Sequence, residues 1–61
     1  ETLEAELQYR RALQLEPKDG DAHYQYGVLL RGLGRIAEAR PHFAAACAAG
    51  VPPACKAAGV H

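Results

Sequence analysis

Residues 4–12 read EAELQYRRA and residues 38–46 read EARPHFAAA, so the pattern Glu-Ala-x-x-x-aromatic-x-x-Ala occurs twice, 34 residues apart. Ala5, Tyr9 and Ala12 fall on Ala39, Phe43 and Ala46, and Glu4 falls on Glu38. Spacings of four and three place the small, aromatic and small residues on one face of an α-helix. The small residues let a neighbouring helix approach, and the ring fills the space between. Two copies in one register predict two equivalent helices, each packed through the same face.

The rest of the chain divides around these copies. Pro17-Lys18-Asp19-Gly20-Asp21 is a turn cluster, with Asp21 placed as a helix N-cap. Gly50-Val51-Pro52-Pro53 is a second break, and Gly32-Leu33-Gly34 a weaker one. The expected helices are therefore Thr2–Glu16, Ala22–Gly32, Ile36–Ala49 and a short fourth from Pro53. Connections this short make successive helices antiparallel neighbours. Alanine, the best helix former, is abundant, β-branched residues are few, and no strand-type alternation is present. The fold class is all-α: an antiparallel helix–turn–helix repeat of three helices plus a short C-terminal fourth.

A period of about 34 residues is shared by the helix–turn–helix arrays of the tetratricopeptide class. The stretch Asp21 to Ala46 resembles one such repeat, with His23, Tyr26, Gly27 and Leu30 in its first helix, Gly34 in the turn, and Ile36, Ala39, Phe43 and Ala46 in its second. Glu4 to Pro17 resembles the second helix of a preceding repeat, closing on Leu15-Glu16-Pro17. The resemblance implies residues 1–17 as that second helix, 20–51 as one full repeat and 52–61 as the start of a further helix. His23 stands where the family often has tryptophan, so looser packing is expected there. Pro41 lacks a backbone N–H and would kink the third helix near Ala37 or shift its start, although an early turn tolerates it. Gly59 follows Gly27 by 32 residues and not 34, and residues 46–60 look instead like the junction of Sel1-like repeats. In cysteine-rich members of that related family, a cysteine pair eight residues apart cross-links adjacent helices.

Cys47 and Cys55 are the two cysteines of the chain. The turn at Gly50–Pro53 reverses the chain between them, so their α-carbons can reach the separation a disulfide needs. Two small buried residues in an alanine-rich helix pair is the other reading. Reduced thiols would go with a cytoplasmic location, a bridge with a periplasmic or secreted one. CxxC spacing, the mark of a redox-active pair, is missing.

Other chemistry finds little support. Seven basic and seven acidic residues give no net charge, and no basic face points to nucleic acid. Arg10, Arg11, Arg31, Arg35 and Arg40 interleave with Glu1, Glu4, Glu6, Glu16 and Glu38, which reads as a solvated helical surface. No apolar run approaches the roughly 20 residues that span a bilayer, so no membrane insertion is expected. No signal peptide is visible, and the chain reads as a piece of something longer. His23, His42 and His61 lack ligand spacing, so no metal or other cofactor is expected; His23 reads as a packing residue and His42 as solvent-facing. Serine is absent and no pocket raises the pKa of Glu4 or Glu38, so no enzyme activity is expected.

A protein-interaction module is the reading that remains: an open helical surface that docks a partner peptide or helix. By resemblance, Asp21, Tyr24, Gln25, Val28, Arg31 and Gly32 face the ligand groove. Tyr24, Val28 and Arg31 form an apolar stripe with a cationic end, suited to an extended peptide with an acidic or carbonyl-rich patch. The alternative is a structural spacer or oligomerisation element of a longer array with no separate ligand. On helix one, Leu3 and Leu7 lie off the face that carries Tyr9. That second apolar stripe predicts self-association of this chain through helix one, as a homo-oligomer.

Overall fold

A computed structural model describes residues 2–59 of the 61. They form α1 (Thr2–Leu15), α2 (Gly20–Gly32), α3 (Ile36–Ala48) and α4 (Pro52–Ala57). Among the described residues there is no strand, as the sequence pattern requires. No helix among them is long and apolar enough to cross a membrane. The chain folds back at each turn, with α2 packed against α1 and α3, and α3 against α4.

The ends of the helices follow from local chemistry, with one correction. α1 stops before Pro17, because a proline disfavours helical backbone in the residue ahead of it. α2 starts two residues earlier than expected, and its N-cap is Asp19, not Asp21. The Asp19 carboxylate accepts the Ala22 N–H at 3.2 Å, which satisfies one of the unpaired donors of the first turn. Tertiary packing selects this cap. A Cβ at Gly20 would stand 2.7 Å from Ala49 Cβ and 2.9 Å from Val51 Cγ2. The first turn of α2 thus rests directly on the end of α3, which only glycine permits. Pro41 is inside α3, which runs through it unbroken from Ile36 to Ala48, the tolerated outcome. At α4 the proline pair Pro52-Pro53 opens the helix, where a missing N–H costs nothing.

The core comprises Tyr26, Leu30, Ala39, Phe43, Ala46 and Ala54, with Leu13 and Leu29 packed at its margin. The second copy of the repeated face is fully used: Ala39, Phe43 and Ala46 are 1%, 2% and 0% exposed. Gly27 makes this seat, since a Cβ there would be 2.9–3.0 Å from the Phe43 ring. The first copy is turned the same way, but Ala5, Tyr9 and Ala12 are only half-buried. Tyr9 stacks on Tyr26 with ring centroids 6.0 Å apart. The difference lies in the neighbours: α3 is flanked by α2 and α4, whereas α1 has α2 on one side.

Candidate protein-docking surface

α2 carries the residues expected to meet a partner, and its rotation about its axis decides which of them are open. Ala22, Tyr26 and Leu30 point inward. The opposite arc consists of three stripes, each a pair seven residues apart and so nearly in line. Asp21 and Val28 form the middle stripe, and both are exposed. Gln25 and Gly32 flank it on the α1 side, where the Tyr9 hydroxyl donates to Gln25 Oε1 at 3.1 Å. Tyr24 and Arg31 flank it on the α3 side, and both lean on Phe43. The Tyr24 ring centroid is 5.8 Å from that of Phe43, and Arg31 Cζ is 5.3 Å from the Phe43 centroid.

Tyr24 is therefore half-buried, and one face of the Arg31 guanidinium is stacked on a ring. The stack engages the face of the guanidinium and not its N–H edges. Among the described residues Arg31 takes part in no salt bridge. A guanidinium held flat in this way presents a pre-oriented fork to a carboxylate or carbonyl.

Beneath this arc lies a polar cluster that contradicts the reading of Glu6 and Arg35 as solvated surface. Glu6 is only 7% exposed. Its Oε2 accepts from Tyr26 Oη at 2.9 Å, from Arg10 Nη2 at 3.2 Å and from Arg35 Nη2 at 3.2 Å. Arg35 Nη1 completes a two-pronged pair with Glu6 Oε1 at 3.3 Å. Arg35 Nη2 also donates to Glu38 at 2.6 Å. One carboxylate thus ties α1 to α2 and to the start of α3. The hydrogen bonds from Arg35 and Tyr26 hold the Glu6 carboxyl below the usual carboxylate range against the opposing effect of burial, and the charges of Arg35 and Arg10 add to this. Glu38 is lowered chiefly by its hydrogen bond from Arg35. The signal for Glu6 was present in the sequence: Glu6, Tyr9, Arg10 and Leu13 share the inward stripe of α1 at helical spacing.

His42 requires a second correction. It is half-buried, 3.1 Å from His23 through their Nδ1 atoms, and its ring centroid is 4.4 Å from that of Tyr26. Pro41 does not turn it outward, because α3 continues in phase and carries His42 onto the α2 seam. Among the described residues no group of three or more His, Cys, Asp or Glu side chains is arranged to hold a metal. His61 lies outside the described residues.

The cysteine alternatives resolve in one direction: Cys47 and Cys55 sit at bonding distance, with Cα atoms 4.7 Å apart. The pair staples the end of α3 to α4.

Comparison with known families gives a match to the tetratricopeptide repeat over residues 8–40, which is more than half of the chain. The chain belongs to the tetratricopeptide repeat family. In this tetratricopeptide unit the matched span runs from the middle of α1 through all of α2 into α3. It therefore includes the candidate docking arc and most of the Glu6 cluster, and ends before the residue 46–60 segment likened to a Sel1-like junction. Searches of curated proteins and of solved structures gave no significant match. Tetratricopeptide repeats are typically non-catalytic modules for protein interaction or scaffolding.

Proposed function

We propose that this chain docks a polypeptide partner on the exposed arc of α2 and does no chemistry of its own. The observation that carries this reading is the uncovered arc itself: Asp21, Gln25, Val28 and Arg31 are all exposed, while the buried polar groups below are satisfied. The scaffold has spent its other side chains on holding α2 still. From Asp21 to Arg31 the arc is about 15 Å long at 1.5 Å per residue. A partner segment of about four or five extended residues spans that length. The arc gives it an apolar centre at Val28 and a cationic fork at Arg31, so an acidic side chain or terminal carboxylate at one end of the segment fits.

An array of immobilised extended peptides, identical except for acidic, neutral or basic ends, tests this. The chain should retain the acidic set. Arg31→Glu should weaken that retention about tenfold or more, the loss expected for a charge-assisted hydrogen bond, with helicity by circular dichroism unchanged. Equal retention of all three sets, or no effect of Arg31→Glu, would favour the spacer or scaffold role in a longer array.

A second reading is supported on α1. Leu3 and Leu7 are 69% and 54% exposed on the side of α1 away from Tyr9. Glu4 and Arg11 flank this stripe and are exposed, so a second copy laid antiparallel sets acid against base across it. We propose that α1 self-associates through this stripe. Sedimentation at high concentration should show a dimer in the native chain and a monomer in a Leu3→Glu/Leu7→Glu variant. A native chain that stays monomeric rejects it.

A further inference from the structure

The α2–α3 seam contains one side-chain hydrogen bond among the described residues, and it joins two histidines. His23 Nδ1 and His42 Nδ1 are 3.1 Å apart. The other nitrogen of His23, Nε2, is 2.8 Å from the carbonyl oxygen of Pro17. A carbonyl only accepts, so His23 Nε2 carries a proton. A neutral imidazole has one N–H, so His23 Nδ1 is an acceptor and His42 Nδ1 must be the donor. Both rings neutral, the chain of bonds runs one way: His42 Nδ1–H to His23 Nδ1, then His23 Nε2–H to the Pro17 carbonyl. His42 Nε2 is left with its lone pair.

Protonation of this pair proceeds in two unequal steps. A first proton settles on His42 Nε2 and leaves both hydrogen bonds intact. A second has only His23 Nδ1 to bind, and that lone pair is the acceptor of the link. Taking it up breaks the bond and sets two imidazolium rings against each other.

We propose that His23 and His42 form an acid-released latch, which ties α3 to α2 and to the α1–α2 turn at neutral pH and lets go when the second proton is bound. The surroundings disfavour charge on the pair. From α1, Arg10 faces the same hollow as His42; from the turn, Lys18 lines a hollow with His23. The Asp19 carboxylate is engaged by the Ala22 N–H. From α2 the Tyr26 ring packs on His42, and from α3 Glu38 alone favours its protonation. Burial, and then the charge of His23, hold His42 below its ordinary range in spite of Glu38.

Below the ordinary histidine value of about 6.5, the unfolded chain takes a proton on each of the two free imidazoles, whereas the closed latch, with the His23 Nδ1 lone pair engaged, has room for at most one. Stability present at neutral pH is therefore lost as pH falls, and the unfolding constant should rise about tenfold per pH unit between about pH 6 and 5. Glu6 and Glu38 act in a different window. Their folded values lie below the ordinary 4.5, so the stability they supply is lost only below it.

Urea unfolding of the oxidised chain between pH 7.5 and 5, beside His42→Gln, tests the latch. The native chain should show the tenfold-per-unit slope, and His42→Gln should be nearly flat over that range. The same slope in both overturns the proposal. Should His42→Gln fail to fold, nitrogen-15 NMR of the native chain at pH 7.5 decides. His23 protonated at Nε2 with His42 protonated at Nδ1 supports the latch, and His42 protonated at Nε2 alone overturns it. The outcome does not depend on whether α2 binds a partner.

Discussion

Phe43→Ala should lower the stability of the chain by about 3–5 kcal/mol at 25 °C, the loss expected for a buried aromatic ring cut back to a methyl group. A domain of this size is expected to have only about 3–9 kcal/mol in total, so this one change removes much or all of it. The ring is 2% exposed and fits a seat that has no other filler. Gly27 leaves the floor open for it, and Tyr24 and Arg31 close the sides. Tyr9→Ala, at the equivalent place in the first copy, should cost clearly less, because Tyr9 is half-exposed and α1 is covered on one side. Urea titration followed by circular dichroism compares the two. Equal losses would mean that the two copies carry equal load, against the burial that separates them.

Reduction of Cys47–Cys55 should lower stability by about 2–3 kcal/mol, the loop-closure value for a pair eight residues apart. For a chain this small that corresponds to a fall in melting midpoint of roughly 10–20 °C. The effect should start in α4. Six residues cannot sustain a helix without support, and α4 has its one buried anchor in Ala54. Thermal melts by circular dichroism with and without reductant, together with a thiol count, measure this. A melt indifferent to reductant would show that α4 is held by packing and not by the bridge.

The helices were readable from the sequence because their signals are local. Pro17, Gly32-Leu33-Gly34 and Gly50 to Pro53 each stop or start a helix through their own backbone chemistry, and the observed ends fall within two residues of the expected ones. The 34-residue repeat of the small–aromatic–small face showed which sides of α1 and α3 turn inward. What escaped depends on residues far apart in the chain. Asp21 reads as the cap of α2 in the sequence, and Asp19 takes that place where Gly20 meets Ala49 and Val51. Glu6 looks solvated beside Arg10; its place on the stripe of Tyr9 and Leu13 points inward, but Arg35, the partner that closes over it, is 29 residues on. The His23–His42 contact spans 19 residues and two helices, and no local pattern encodes it. The candidate docking arc is intermediate: the family resemblance groups Asp21, Tyr24, Gln25, Val28 and Arg31, but only the Phe43 contacts separate its open centre from its half-covered edge.

The central claim is that one ring per repeat, seated against a glycine or a second ring, fixes the phase of neighbouring helices. Proton–proton NOE spectroscopy of the oxidised chain reads this directly. Strong cross-peaks are predicted from the Phe43 ring to the Gly27 α-protons and the Tyr24 ring, and from the Tyr9 ring to Tyr26. A Phe43 ring with no cross-peak to Gly27 would contradict the packing from which the docking arc of α2 is inferred.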